Sequence, residues 1–516
     1  MAKTTKKAST GLTPHTKSAD SQVGLAGTVG RPIVITFLGA GSGFCPNLCR
    51  DVMLIPGAER GEFRLVDVDK DRLETMTKVI GRLIRELGKE KGWKVRGTTQ
   101  RREVLPGTTY AICCVEVSGI DCVKWDNDIP LKYGIDQCIG DTIGLGGLFK
   151  GLRTIPVFLD ILRDMRELCP GALMLNYTNP MSMMCLAAGR AVPEVPVVGL
   201  CHSVQGTSHQ LAGYAGVPYE EMKWECAGIN HLAWFTKLEH QGKDLYATVL
   251  NEKFAREVAE GIAESEQGLA PTTWEDDKTW MAKNGKTIRP WKHNDLVRKD
   301  MCLHFGAFIT ESSGHLSEYL PYYRKSAVGR KLLRLGYCGG SRFYASNWPD
   351  WRKAGDDWRM KLVRGEAEFD LNRSWEYASW IIEAIEKDVP YRIYGNVPNW
   401  ASAPLGTNRG CARGEGAKVI ANLPGDGCVE VACLVDRNGV TPTRYGALPP
   451  QMAHICGANM AMFDLAATAA INRCQQTAAH ALMFDPLTAA LLTPGQIKAM
   501  TQELFAAEKK FLPGYK

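Results

Sequence analysis

The stretch Ile33-Val-Ile-Thr-Phe-Leu38, running directly into Gly39-Ala-Gly-Ser-Gly43, decides the fold class. Six consecutive apolar or β-branched residues suit a strand buried on both faces, as in a parallel sheet covered by helices. The glycines let the backbone turn sharply and pass close to a ligand that side chains would obstruct. A strand followed by such a turn opens a nucleotide-binding fold, and the next helix aims its amide-rich N-terminus at an anion. Gly39, Gly41 and Ser42 are therefore the expected cofactor loop. The third glycine of the usual fingerprint is not cleanly filled, since Gly41-Ser-Gly-Phe-Cys-Pro46 follows Ala40, although Pro46 suits the first turn of a helix.

Moving outward, Phe63-Arg-Leu-Val-Asp67 reads as a second strand closed by an acid. A carboxylate there accepts hydrogen bonds from ribose hydroxyls and repels a 2′-phosphate, which favours NAD over NADP. The bland alternative is a tight turn and a surface carboxylate in an α/β fold that binds something else. Leu73, Met76, Ile80, Leu83 and Ile84 then recur at helical spacing. Strand-like runs follow at Tyr110 to Val117, Ala172 to Leu175 and Val195 to Leu200, with helix-like stretches at Leu148 to Leu168 and Met181 to Ala191. This alternation predicts an α/β fold with a doubly wound parallel sheet over about residues 31–200. Residues 1 to about 30, rich in Lys, Thr, Ser and Gly, read as a flexible tail. Past residue 205 the pattern is mixed α+β. Trp274 to Trp291 and Trp348 to Trp358 read as loops or insertions, Ser374 to Lys387 and Asn459 to Phe484 as helices.

Composition excludes several classes. With 516 residues, 45% hydrophobic and 23% charged, the chain is an ordinary globular protein of two or three domains. A net charge of +6, part of it in Lys3, Lys6, Lys7 and Lys17 of the tail, implies no nucleic-acid surface. Seventeen cysteines, odd in number and thinly spread, point to a reducing compartment. The N-terminus lacks the apolar core of a secretory signal, and no apolar run reaches the roughly 18 residues of a membrane span. A cytoplasmic protein is expected.

Later motifs are more specific. Gly140-Asp-Thr-Ile-Gly-Leu-Gly-Gly147 with Leu152-Arg-Thr-Ile-Pro156, Asn176-Tyr-Thr-Asn-Pro-Met181, Gly199-Leu-Cys-His-Ser-Val-Gln-Gly206 and Gly228-Ile-Asn-His-Leu-Ala-Trp234 together resemble glycoside hydrolase family 4. Thr310-Glu-Ser-Ser-Gly-His-Leu-Ser-Glu-Tyr319, Tyr394-Gly-Asn-Val397, Val429-Glu-Val-Ala-Cys-Leu-Val-Asp436, Asn438-Gly439 and Leu448-Pro449 are similar to its α-galactosidase (melibiase) branch, as is the tetrad Cys201 to Val204. Leu145 departs from the family, which commonly has proline there.

The resemblance implies a lactate/malate dehydrogenase-like architecture, with a Rossmann-like NAD domain at 31–205 and a substrate- and metal-binding domain at 206–516. It implies hydrolysis by redox-assisted elimination. NAD takes hydride from C3 of the sugar, a base removes the C2 proton, the aglycone leaves, water adds, and NADH returns the hydride. Bound NAD and Mn²⁺ or another divalent metal are the implied cofactors. Cys201 and His231 match the metal ligands, although a thiolate ordinarily selects softer ions than Mn²⁺. Asp295 falls at the base position, with Arg298 on the same helical face and Asp300 as a rival; the bland reading of the pair is a surface salt bridge. His202 is the candidate acid for the leaving oxygen, and Asp141 resembles a residue near nicotinamide and sugar. Asn179 is expected at the cofactor or sugar, and Asn230 at sugar hydroxyls or in ordering the loops. His315, Glu318 and Arg324 are expected to line the sugar pocket. Homodimers or homotetramers are the family's habit. An α-galactoside is the first expectation, with α-glucosides, uronides, β-glucosides or sulfosugars as alternatives. A 2-hydroxy acid dehydrogenase and a non-catalytic NAD-binding protein are the competing classes.

Overall fold

Burial of both faces of Ile33–Leu38 makes this run the central strand β1 of the computed structural model, which describes residues 24–267, 278–279, 292–400, 404–405 and 417–516. Around it lie β2 (Gly61–Val66), β3 (Trp93–Thr98), β4 (Tyr110–Cys113), β5 (Leu173–Asn176) and β6 (Val197–Gly199), all parallel, in the order β3-β2-β1-β4-β5-β6. This is the doubly wound arrangement, in which ligands bind beyond the carboxyl ends of the strands.

Helix α1 (Phe44–Met53) starts right after the glycine turn with Pro46 in its first turn, where a missing N–H costs nothing. Helix α2 (Lys70–Glu86) is capped by Asp69, which accepts from Arg72 N at 3.1 Å, and buries the expected stripe Leu73, Met76, Ile80, Leu83 and Ile84. Helix α3 is Val123–Lys132, and α4 (Gly144–Leu168) begins a turn earlier than its apolar pattern suggests. Glycines mask that start. Cβ atoms added at Gly146 and Gly147 would collide with Gly140 O and Thr142 C, so the helix start packs bare against the loop that carries Asp141. Helix α5 spans Met181–Ala191, and α6 (Ser203–Ala215) closes on Gly216 in the left-handed conformation.

The same sheet continues through the expected domain boundary at 205. Strand β6 is met by β11 (Tyr391–Pro398), followed outward by β12 (Cys428–Asp436), β7 (Met222–Ile229), β8 (Leu232–His240) and β10 (Phe308–Ile309), all antiparallel. Short β9 (Lys243–Asp244) and β13 (Gly439–Pro442) hang on β8 and β12. The fold is α/β, with parallel strands in the N-terminal half and a mixed second half, as expected.

Three expectations change. Packed chain is already present at Leu25, which is buried and donates its N–H to Glu383 Oε1 at 2.8 Å, so the segment 1–30 is not tail throughout; residues 1–23 lie outside the described residues. Trp348 to Trp358 is not a loop but part of the helix Phe343–Arg364. Tyr344, Trp348 and Trp351 fall at helical spacing and cluster with Tyr337 and Phe343, a pattern masked by Pro349 and the charged residues that follow. Trp274 to Trp291 lies outside the described residues apart from 278–279. The helix expected over Asn459 to Phe484 is two, Pro450–Asn472 and Gln475–Met483, broken where Arg473 turns left-handed. No helix among the described residues is long and apolar enough to cross a membrane.

Gly39 has φ +81°, and an added Cβ would stand 2.5 Å from Cys114 O, just past the end of β4. We expect Gly39→Ala to destabilise the protein by at least about 1–2 kcal/mol in urea unfolding, the cost of left-handed backbone before any clash.

Candidate active site

Three chain segments converge beyond the carboxyl edge of the parallel strands. Cys201 follows β6 by two residues. His231 sits in the two-residue turn Asn230-His231 of the β7–β8 hairpin, with Ile229 paired to Leu232 and φ +62° at His231. Glu311 follows β10, where Thr310 ties the chain to β8 through Thr310 N to Ala233 O (2.9 Å) and Ala233 N to Thr310 Oγ1 (3.1 Å). The sheet thereby brings Cys201 Sγ within 3.4 Å of His231 Nε2, and Glu311 Oε2 within 3.9 Å of the same nitrogen.

The tautomer of His231 follows from its other nitrogen. Nδ1 lies 3.4 Å from Thr142 Oγ1, whose hydroxyl donates to Asp141 Oδ1 at 2.7 Å. The hydroxyl hydrogen being committed, Thr142 accepts from Nδ1–H, and the lone pair of Nε2 faces Cys201 and Glu311. Burial and the charge of His315 lower the imidazole to about 4, so His231 is neutral at pH 7. Burial, with the Glu430 and Glu311 side chains nearby, pushes the Cys201 thiol well up, so only a bound cation would make it a thiolate ligand.

A second layer carries the charge. Asp141 is met by Asn179 Nδ2 (3.2 Å), Lys150 Nζ (3.5 Å) and His315 Nε2 (3.7 Å), and Lys150 also pairs with Glu116 at 2.9 Å. Burial works to raise the Asp141 carboxyl, but Lys150, His315 and Thr142 hold it far below the usual carboxylate range. His315 lies in the helix Ser313–Glu318, capped by Ser312, and its Nδ1 is 3.6 Å from Glu311 Oε1. Burial would lower it, yet Asp141 and Glu311 raise it to about 9, so it carries a positive charge at neutral pH. A small cavity beside this group is lined by Asp141, Lys150, Glu116, Tyr344 and Trp348.

Other expected site residues stand elsewhere. His202 is at the rim, with its side chain 54% exposed and Nδ1 3.8 Å from Glu376 Oε1. Asn230 is 0% exposed, in the turn of the β7–β8 hairpin and beside Glu430. Asp295 and Arg298 do pair, with Nε to Oδ1 at 2.7 Å, but inside the protein at 4% and 3% exposure rather than on the surface. Asp295 is the left-handed residue preceding the helix Leu296–Phe305, not a member of it. Its oxygens accept from Arg298 twice, Ser313 Oγ (2.7 Å) and Tyr214 Oη (3.1 Å), while Arg298 also reaches Thr207 and Gln210 of α6. With these four hydrogen bonds the carboxylate holds Arg298 and Ser313 in place. Asp300 accepts from Tyr323 Oη at 2.7 Å, apart from the pair.

Glu318 and Arg324 do not line the pocket. Glu318 accepts the backbone N–H groups of Cys138, Ile139 (2.8 Å) and Gly140 (3.2 Å), anchoring the loop that presents Asp141. Arg324 is buried against Asp136, Ser317 and Gly339 O. Sequence reasoning missed Glu311, Lys150 and Glu376. The signal for Glu311 was its place in Thr310–Tyr319, but nothing local distinguishes it from Glu318, which points the other way.

The family 4 glycosyl hydrolase signature matches residues 34–217, and that of the family 4 glycosyl hydrolase C-terminal domain matches residues 226–488. An alpha-galactosidase of Rhizobium meliloti is 34% identical over 489 residues, covering 93% of this chain and 89% of the relative. An alpha-galactosidase of Bacillus subtilis is 32% identical over 486 residues, covering 93% and 99%. Among solved structures, a 6-phospho-alpha-glucosidase from gut microorganisms, in complex with NAD and Mn²⁺, shares the fold at a TM-score of 0.70 and 20% identity, covering 94% of this chain and 100% of its own. With both signatures together spanning most of the chain and relatives above 30% identity along nearly all of it, this protein belongs to the family 4 glycosyl hydrolases.

Proposed function

We propose that this glycosidase hydrolyses α-galactosides and does so with bound NAD and a divalent cation, Mn²⁺ first among them. The observation that carries the reading is the approach of Cys201 Sγ to His231 Nε2, 3.4 Å, on the sheet edge that also bears the glycine loop. The substrate class rests on the relatives named alpha-galactosidase that match along nearly the whole chain.

The residues fit both groups. A Cβ at Gly39 or Gly41 would meet Cys114 O or Asp67 Oδ2, so the loop is a bare cradle. At the start of helix α1 Ser42 Oγ accepts from Phe44 N at 3.3 Å and Ser42 O from Cys45 N at 3.2 Å, and no acid stands in the first turn, so the positive end of the helix faces the loop without a competing carboxylate of its own. Gly39, Gly41, Ser42 and Asp67 would hold the dinucleotide, with Asn179 toward its reactive end. Asp67 already stands at the loop, accepting from Gly41 N at 2.7 Å and Asp69 N at 3.0 Å. Cys201 and His231 would hold the cation, His231 being in the neutral form a ligand needs.

When bound, NAD supplies a hydride acceptor and donor, and the cation stabilises negative charge on the sugar oxygens O2 and O3. The chain's own residues do the rest. Asp141 and Glu311 keep His315 protonated as a cationic donor beside the cavity, and Lys150 balances Asp141 and Glu116. His202, at the rim with Nδ1 3.8 Å from Glu376 Oε1, would deliver a proton to a departing oxygen. Asp295 holds Arg298 and Ser313 in register.

A nitrophenyl α-galactoside should be hydrolysed only when NAD and a divalent metal are both supplied, without build-up of NADH. Steady NADH accumulation, or full activity in chelator, rejects the reading. In heavy water, deuterium should appear at C2 of the released sugar by NMR; a product with only hydrogen there excludes proton abstraction at that carbon. Asp295→Asn should cost about 3–5 kcal/mol in urea unfolding, because it strips a buried guanidinium of its counter-charge.

A further inference from the structure

We propose that Glu311 is a third protein ligand of the divalent cation and the residue that biases the site toward a hard ion. This rests on the reading of Cys201 and His231 as metal ligands. One donor atom from each of Cys201, His231 and Glu311 lies within 4.8 Å of the other two. Donors bound to one ion at roughly 2.0–2.3 Å stand about 3–4.5 Å apart, so the separations of 3.4 and 3.9 Å already match a shared ion.

Backbone geometry points the same way. Glu311 has φ +74° and His231 has φ +62°, a conformation uncommon for residues other than glycine and, for Glu, without the enrichment that Asn, Asp and His show. Such strain persists where the surroundings enforce it, and here Thr310 is pinned to Ala233 on one side while Ser312 caps a helix on the other. Glu311 is thus a single residue thrown inward between two fixed elements, opposite the equally strained His231.

The atoms not used for an ion are occupied. His231 Nδ1 is held by Thr142, and Glu311 Oε1 faces His315 Nδ1 at 3.6 Å, leaving Nε2 and Oε2, 3.9 Å apart, to share an ion with Cys201 Sγ. Partners of this kind orient metal ligands. Charge also closes: a thiolate, a carboxylate and a neutral imidazole balance a dication. A thiolate with imidazole alone selects softer ions, whereas a carboxylate oxygen suits Mn²⁺. The difficulty raised by the Cys201–His231 pair is thereby removed.

The test uses the full chain stripped of metal and titrated with MnCl₂ alone, following free Mn²⁺ by electron paramagnetic resonance, and with ZnCl₂ by competition against a chromophoric chelator. Wild type should bind one Mn²⁺, and Cys201→Ser should lose it. Glu311→Gln should weaken Mn²⁺ on the order of 10–100-fold while weakening Zn²⁺ much less. A purely structural Glu311 would weaken both ions alike, and that result overturns the proposal, as does Mn²⁺ affinity in Glu311→Gln equal to wild type with Cys201→Ser impaired. Wild type that binds no Mn²⁺ overturns the underlying reading instead. Glu311→Gly serves as a second variant, since glycine relieves the positive φ. Its metal-free melting temperature should equal or exceed that of wild type while Mn²⁺ affinity falls as in Glu311→Gln.

Discussion

The site depends on one row of residues running across the middle of the sheet. Gly199 of β6 pairs with Asn396 of β11, Asn396 with Glu430 of β12, and Glu430 with Gly228 of β7. Each outer contact is a single paired position among the described residues: Gly199–Asn396 sets how the antiparallel half meets the parallel half, and Glu430–Gly228 sets how the β7–β8 hairpin meets β12. Glycine is required at the ends: a Cβ at Gly199 would collide with Met181, Cys185 and Asn396, and one at Gly228 with Leu232 O. In the middle, Asn396 Nδ2 donates to Glu430 at 3.2 Å, and burial pushes the Glu430 carboxyl up to about 8 against the pull of Asn396 and Asn230. A neutral acid tolerates that interior where a carboxylate would not. Cys201 lies two residues beyond one end of the row and His231 three beyond the other, so this register brings thiol and imidazole together.

Above the row, the protein buries charge in matched groups. Asp141, Lys150 and Glu116 form one, and His315 links it to Glu311 and hence to the thiol and imidazole. Buried ion pairs contribute little net stability, since desolvation offsets most of their attraction; what they provide here is fixed geometry. Left-handed His231 and Glu311 add backbone strain at the same place. The surrounding anchors, Glu318 on the 138–140 loop and Asp295 on Arg298, hold the arrangement from outside.

Legibility followed locality. The loop at Gly39 to Gly43, the stripe on α2 and the helix Met181–Ala191 were readable because each depends on neighbours in sequence. Cys201 and His231 were readable as members of ordered motifs, and the Asp295–Arg298 pair as a three-residue spacing. Spacing does not say whether a pair faces solvent or core, and this one is buried. The same blindness applies to Asn230, Glu318 and Arg324, whose motifs do not say that all three side chains are buried.

The sequence by itself determined the class of fold, the cofactor loop and the family, because strand burial, glycine turns and ordered motifs are properties of short segments. Only the tertiary structure decided that the sheet runs unbroken past residue 205, that Trp348 to Trp358 is helical, and that Glu311 rather than Glu318 faces the imidazole. Those outcomes depend on pairings between residues tens to hundreds of positions apart, whose register is set by packing against partners that no local window contains.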